Sequence, residues 1–182
     1  MCMDNKYKAH EKFFCSTLME LYRSTKLAET ENCIQHGSTT VLRHSIMVAY
    51  MSYKLCKILH INIKDKDIIR GALLHDYFLY DWHEKNKGHR LHGFSHPKTA
   101  LDNAKRDTVL TETEEEIIIK HMFPLTLYPP TKRESVIVCM TDKICSLYET
   151  FHINKVWEWK SYNIAQRVCR EVKNETYKSN LK

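Results

Sequence analysis

The chain has 182 residues, of which 43% are hydrophobic and 27% are charged, and it contains only 4 glycines and 4 prolines. This length suits one domain around one core, and so few turn-forming residues disfavour a fold built from many short strands. The formal net charge of +6 is spread along the chain, whereas a nucleic-acid polymer requires a concentrated basic surface, so such a partner is not expected.

The first two predicted helices lie on either side of a short loop. Residues 4–29 carry apolar side chains at the i, i+3, i+4, i+7 spacing of an amphipathic helix. The loop contains His36. Residues 40–59 repeat the helical spacing, and His44 lies on their apolar stripe. A lone histidine on such a stripe is most often a core residue that bonds to a backbone carbonyl.

The third predicted helix ends at a histidine and an aspartate. Asp65 or Asp67 can cap its N-terminus, and the helix runs on to His75 and Asp76. A carboxylate at the end of an apolar run is costly to bury unless it is paired or bound to a cation. Residues 80–95 show neither helical nor strand periodicity and are predicted to form a long loop.

The following helices are marked by their capping residues. His96 and Pro97 are predicted to begin one, because proline suits the first helical turn. Thr111 or Thr113 begins the next, since the glutamates that follow complement a helix N-terminus, and this helix continues to His121. The three prolines between residues 123 and 130 must end it.

Two more predicted helices complete the chain. Residues 131–150 place Val136, Met140, Ile144 and Leu147 on one face, while Asp142 has apolar neighbours that turn it inward. Residues 156–177 form the last helix. The count of about seven helices predicts an all-α bundle. Residues 1–182 are expected to be a single domain with a core at about 37–149, on which the two terminal helices pack.

The cysteines and the N-terminus indicate a cytoplasmic protein. Seven cysteines occur without a CxxC pair, and an odd number suits reduced thiols better than a disulfide framework. The first ten residues are polar, so no signal peptide is expected. The longest apolar runs are too short to span a bilayer, so no membrane partner is expected either.

The histidines and aspartates become informative as an ordered set. Helical bundles build two-metal centres by converging inward-facing histidines and carboxylates from several helices. The chain offers histidines and aspartates in the order H, HD, H, H, D. The matching segments are HS at 44–45, GALLHD at 71–76, HP at 96–97, KH at 120–121 and TDK at 141–143.

With this pattern the sequence resembles the HD superfamily of metal-dependent phosphohydrolases over residues 37–149. The resemblance implies an all-α fold and two divalent transition-metal ions, which would be Fe, Mn, Co or Zn. It implies that one ion is held by His44, His75, Asp76 and Asp142, and the other by His96, His121 and a bridging Asp76. It also implies that a metal-bridging hydroxide attacks a phosphate ester or anhydride of a small, nucleotide-like substrate, with Asp76 as a catalytic residue.

Four further residues are candidates for contact with the substrate. Lys143 is expected to stabilise phosphate charge as a catalytic residue, although a solvated or ion-paired lysine explains it equally well. His36, His92 and Lys98 are expected to contact the substrate; a capping, loop or surface role is the simpler alternative for each.

The sequence departs from several branches of the superfamily. It has HDYFL where cyclic-dinucleotide phosphodiesterases have HDIGK, and Leu79 stands where other branches carry a charged residue. The substrate therefore stays open. Two alternative functions also remain: a mixed-valence di-iron oxygenase with the same ligands, and a metal-holding sensor or interaction module without catalysis. The oligomeric state cannot be deduced from the sequence.

Overall fold

The computed structural model describes residues 2–36, 39–80, 92–151 and Arg170. Within these residues the predicted all-α fold is confirmed, with six α-helices, one 3-10 helix and a two-stranded ribbon. The predicted helix over residues 156–177 lies outside the described residues. In chain order the elements are α1 (Cys2–Ser24), the 3-10 helix (Leu27–Asn32), β1 (Ile34–His36), β2 (Thr39–Thr40), α2 (Val41–Ile58), α3 (Asp65–Leu74), α4 (His92–Asp107), α5 (Glu112–Lys120) and α6 (Arg133–Thr150).

Helix α3 lies at the centre of the bundle. Every residue from 67 to 78 is buried, and α3 packs against α1, α2, α5 and α6. Gly71 permits the close approach to α5, because a Cβ atom at this position would lie 2.6 Å from Cδ1 of Ile117. This position of α3 carries the residues at its end into the middle of the protein.

Helix α1 ends earlier than the predicted residue 29. The Thr25 hydroxyl donates to the Leu21 carbonyl at 2.8 Å, and the Lys26 amide donates to the Tyr77 hydroxyl at 2.6 Å. Because these side chains take over the bonds that a further helical turn would make, the chain changes to the 3-10 helix. The Tyr77 hydroxyl also donates to Asp107 at 2.9 Å, which connects α1 and α4 to the residue after Asp76.

Helix α5 begins at Thr111, the first of the two predicted caps. Thr111 and Glu114 form a reciprocal capping box, in which each side chain accepts from the other residue's backbone amide. Glu114 is almost fully buried and also pairs with Nε of Arg70 at 2.6 Å. Through this pair Arg70 connects α3 to the start of α5.

Two segments differ from the predicted loops. Residues around His36 form the antiparallel ribbon of β1 and β2, in which Ile34 pairs with Thr40. Helix α4 begins at His92 rather than near residue 95, so Pro97 lies inside the helix instead of at its start. A proline this close to the helix N-terminus removes few internal hydrogen bonds, which allows the helix to continue through it.

Helix α6 is apolar on two faces. Val138, Cys139 and Cys145 are buried together with Asp142, whereas the side chains of Val136, Met140, Ile144 and Leu147 are exposed. The predicted apolar stripe therefore exists, but it points away from the described core. Among the described residues, no helix is long and apolar enough to cross a membrane. The described cysteines, Cys15, Cys33, Cys56, Cys139 and Cys145, are free thiols.

Candidate metal centre

The six predicted ligand residues come together between the helices. His44 lies in α2, His96 in α4 and Asp142 in α6, while His75 and His121 directly follow the last residues of α3 and α5. Each of the six side chains belongs to a buried residue. Five helices therefore bring imidazoles and carboxylates to one interior point.

The orientation of two of the histidines is fixed by the turn that precedes them. Nδ1 of His75 lies 2.7 Å from the carbonyl of Ala72, and Nδ1 of His121 lies 2.7 Å from the carbonyl of Ile118. A carbonyl only accepts, so each Nδ1 carries the proton and donates it. In the neutral rings Nε2 then holds the lone pair, which is the state a metal ligand requires.

Asp76 divides its two oxygens between two pairs of imidazoles. Oδ2 lies 3.3 Å from Nε2 of His75 and 3.8 Å from Nε2 of His44. Oδ1 lies 3.1 Å from Nε2 of His96 and 3.4 Å from Nε2 of His121. This is the arrangement expected of a carboxylate that bridges two cations, one on each side.

The other carboxylate of the cluster, Asp142, lies on one side of the centre. Oδ1 of Asp142 lies 3.0 Å from Nε2 of His44 and 3.5 Å from Nε2 of His75. We call the group of His44, His75 and Asp142 the His44 site. The group of Asp76, His96 and His121 is called the His121 site.

Burial and charge oppose each other at the metal-free centre. Burial disfavours the charged imidazolium of His44, but the carboxylates of Glu149 and Asp142 outweigh it and raise the pKa of His44 well above its usual value. Burial likewise opposes ionisation of Asp142, yet the hydrogen bond with His44 and the nearby ring of His75 hold the pKa of Asp142 below its ordinary range. The centre therefore stabilises positive charge, as a cation site must.

Two buried atoms of the centre test whether its residues fit a cation. Among the described residues, Nε2 of His75 and Oδ1 of Asp76 have no hydrogen-bond partner. An unsatisfied buried polar group costs about 1–3 kcal/mol, so natural proteins seldom leave two of them side by side. A bound cation would satisfy both atoms.

The donor set fits divalent transition metals. The ligand atoms of His44, His75 and Asp142 lie within 4.8 Å of one another, and so do those of His75, Asp76 and His121. Imidazole and carboxylate donors without thiolate suit Mn, Fe, Co or Zn in an open catalytic site. The buried cluster can thus hold divalent metal, with His75 available to either position.

Of the four other predicted site residues, the structure describes the side chains of Lys143 and Lys98. Nζ of Lys143 donates to the His121 carbonyl at 2.7 Å and to the Cys139 carbonyl at 3.3 Å, and it lies 3.9 Å from Oδ2 of Asp142. Lys98 is exposed on α4. His36 ends β1 and His92 begins α4, but the positions of their side chains lie outside the description.

Two residues at the centre were missed by the sequence analysis. Oε2 of Glu149 lies 2.9 Å from Nδ1 of His44, and Nε2 of Gln35 donates to Oδ2 of Asp76 at 2.5 Å. Glu149 follows Asp142 by seven residues, which puts both on one face of α6. That spacing could have revealed Glu149, whereas nothing in the sequence distinguishes Gln35, because its segment was predicted to be a loop.

Comparison with known proteins agrees with this arrangement. A family model described as the HD domain matches residues 41–147, which is more than half of the chain and includes the six clustered residues. No curated protein and no solved structure matches the chain.

Proposed function

The chain belongs to the HD domain family, and we propose that it is a metal-dependent phosphohydrolase. Its substrate would be a phosphate ester or anhydride of a small, nucleotide-like molecule, and its cofactor two divalent ions of Fe, Mn, Co or Zn. The observation that carries the proposal is the division of the Asp76 oxygens between His44 and His75 on one side and His96 and His121 on the other.

Each residue of the centre has a role in this proposal. The His44 site would hold one ion and the His121 site the other, with Asp76 between them. Two such ions make water a strong nucleophile near neutral pH and neutralise charge on the phosphoryl oxygens. The protein would contribute fixed ligand directions, because the Nδ1 atoms of His75 and His121 are already bonded to the preceding helical turns.

Lys143 and three residues of neighbouring segments would contact the substrate. The Lys143 ammonium lies beside the His121 carbonyl and the Asp142 carboxylate at the edge of the centre, where it would offset negative charge on the phosphate. His36, His92 and Lys98 remain candidates for substrate binding. Lys98 is exposed and lies two residues after the buried His96, on a different face of α4, so it would have to reach the phosphate from the solvent side.

The proposal is tested by removing the bridging carboxylate. Asp76→Ala is expected to lose both bound metal and turnover of a panel of phosphomonoesters, diesters and anhydrides assayed with Mn or Co. Asp102→Ala, which removes an exposed carboxylate from α4, is the matched control and should retain both. An Asp76→Ala protein with full activity would refute the proposal.

The same experiment separates the alternative functions. Tightly bound iron with oxygen consumption, and no phosphoester turnover without oxygen, would favour the di-iron oxygenase. Full metal occupancy with no turnover of any substrate in the panel would favour a metal-holding sensor or interaction module.

A further inference from the structure

We propose that Glu149 makes the two metal sites unequal, so that the His44 site binds its ion first and more tightly than the His121 site. Glu149 would act as a positioning residue, through His44, and not as a ligand. The inference rests on the metal centre of the proposed function, but it concerns metal affinity alone and requires no particular reaction.

The position of Glu149 gives α6 two contributions to the same site. Glu149 is 8% exposed, and its Oε2 lies 2.9 Å from Nδ1 of His44. Two helical turns earlier, Asp142 faces the other ring nitrogen of His44 at 3.0 Å. One helix therefore supplies a ligand of the His44 site and the carboxylate that orients another ligand of that site.

His44, His75 and His121 differ in the charge of the group that faces Nδ1. His75 and His121 donate from Nδ1 to neutral backbone carbonyls, whereas the acceptor at His44 is an ionisable carboxylate. A hydrogen bond to an anion is about twice as strong as a neutral one. A carboxylate on the outer nitrogen also increases the basicity of the ligand nitrogen, which favours metal binding.

The distribution of charge points in the same direction. The His44 site has Asp142 as its own carboxylate, Oδ2 of Asp76 at 3.8 Å from Nε2 of His44, and Glu149 behind the ring. The His121 site has two imidazoles and Oδ1 of Asp76. Since a divalent cation is held by the negative charge around it, the His44 site should fill first.

The contribution of Glu149 does not follow from the family match. The match covers residues 41–147, so Glu149 lies beyond it, while the six ligand residues lie within it. The part of the inequality that depends on Glu149 is therefore a feature of this chain's α6 outside the matched residues.

The test is a titration of metal-stripped, full-length protein with Mn²⁺, followed by calorimetry. The unchanged protein should bind two ions in two distinguishable steps. Glu149→Gln keeps the size of the side chain and an acceptor oxygen for His44, and it should weaken the first step by about 10-fold to 100-fold while the second changes little. His121→Asn should remove the second step and leave the first, which assigns the steps to the sites.

Glu114→Gln is the matched control, because Glu114 is also a buried carboxylate but pairs with Arg70 at the opposite end of α5 from His121. It should lose stability through that pair, yet both binding steps should persist. Circular dichroism of each metal-free variant verifies that it is folded.

The possible outcomes separate this inference from the proposed function. Two equal steps in the unchanged protein, or a Glu149→Gln variant in which both steps weaken alike or neither weakens, would overturn the inference. Unequal steps that depend on Glu149, without turnover of any phosphoester, would support it while contradicting the hydrolase. If Glu149→Gln does not fold, the two-step titration and the His121→Asn assignment still decide whether the His44 site is the tighter one.

Discussion

Nε2 of His96 lies 2.8 Å from Nε2 of His121. Because Nδ1 of His121 donates to the Ile118 carbonyl, Nε2 of the neutral His121 ring must accept, and His96 must donate from its own Nε2. Two lone pairs could not face each other at this distance. Binding of a cation between the rings would therefore require His96 to give up its Nε2 proton.

Replacement of His121 by alanine is expected to remove one of two bound ions and leave the other. The His44 site keeps all three of its residues, whereas the His121 site keeps only His96 and Asp76. Phosphoester turnover should decrease by about 100-fold or more, the scale on which loss of one electrostatic contact to a transition state reduces rate. Elemental analysis of the purified protein measures the stoichiometry.

An exposed histidine provides the control for this change. His60 follows α2 with a φ of 52°, a conformation that asparagine tolerates. His60→Asn should therefore leave the metal content at that of the unchanged protein. Retention of both ions by His121→Ala would show that His121 is not a ligand.

The metal-free protein should lose stability as the pH rises from about 6.5 to 9. Burial opposes the imidazolium of His75, but the charge of Asp76 and contacts with Asp142 raise the pKa of His75 to about 9, and the pKa of His44 is raised as well. A raised folded-state pKa stabilises the fold below the unfolded value, and that stabilisation disappears as the pH passes the folded value.

Thermal melting between pH 6.5 and 9 measures this effect. With a chelator present, the melting temperature should decrease across the range by several degrees. With Mn²⁺ present it should instead be maintained or increase, because the metal replaces the protons on its ligands. A metal-free melting temperature that rises over the same range would contradict the expectation.

Glu116→Gln is expected to destabilise the protein by about 1–2 kcal/mol at neutral pH. Glu116 connects α5 to the start of α6, since it accepts from the backbone amides of Thr131 and Lys132 at 2.7 and 2.8 Å. Burial opposes its ionisation, but these hydrogen bonds outweigh burial and hold the pKa of Glu116 below its usual value of 4.5.

Urea unfolding at several pH values verifies the sign. Because the folded-state pKa of Glu116 is lowered, its contribution is complete above the unfolded value and is lost as the pH falls through the folded value. The difference between Glu116→Gln and the unchanged protein should shrink in acid. The neighbouring Glu115→Gln removes only a surface pair with Lys105 and should change the free energy of unfolding by less than about 1 kcal/mol.

Gly71→Ala is expected to destabilise the protein by about 1–3 kcal/mol through overpacking. Alanine favours a helix more than glycine does, but the added Cβ would lie 2.6, 3.1 and 3.2 Å from three side-chain atoms of the buried Ile117. The β-branched Ile117 cannot rotate all three atoms away.

A second substitution tests this explanation. Ile117→Val removes the Cδ1 atom that would be closest to the new methyl group, so it should restore part of the stability lost in Gly71→Ala. Equilibrium unfolding of the two single variants and the double variant gives the coupling between them. If Gly71→Ala is as stable as the unchanged protein or more stable, α3 and α5 can move apart without a loss in the free energy of unfolding.

The sequence was sufficient to predict the helices and the order of the candidate ligands. Apolar spacing located α2 and α6 to within a few residues, and capping residues located α3 and α5. It could not decide which face of α6 packs inward. Val136 and Met140 follow a helical spacing, and so do Val138 and Cys145. Only the packing of α2 and α5 against α6 decides which of these two faces is buried.

The residues around the ligands were less predictable for a physical reason. A glutamate near the end of a helix is usually solvated. Glu149 is buried because it contacts His44, which lies 105 positions earlier in the chain. Gln35 depends in the same way on Asp76, which is 41 positions away. Such contacts follow from the assembled bundle, and the seven-residue spacing between Asp142 and Glu149 is the one local sign of them.

Helices α3 and α5 both end at the metal centre, immediately before His75 and His121. The carbonyl end of a helix carries partial negative charge, and here two such ends point toward the same place as the carboxylates of Asp76 and Asp142. Without cations this partial charge opposes the entry of an anion. Under the proposed function a phosphate would therefore enter only after the metals, so that occupancy by divalent ions would set the affinity for substrate as well as the rate of its conversion.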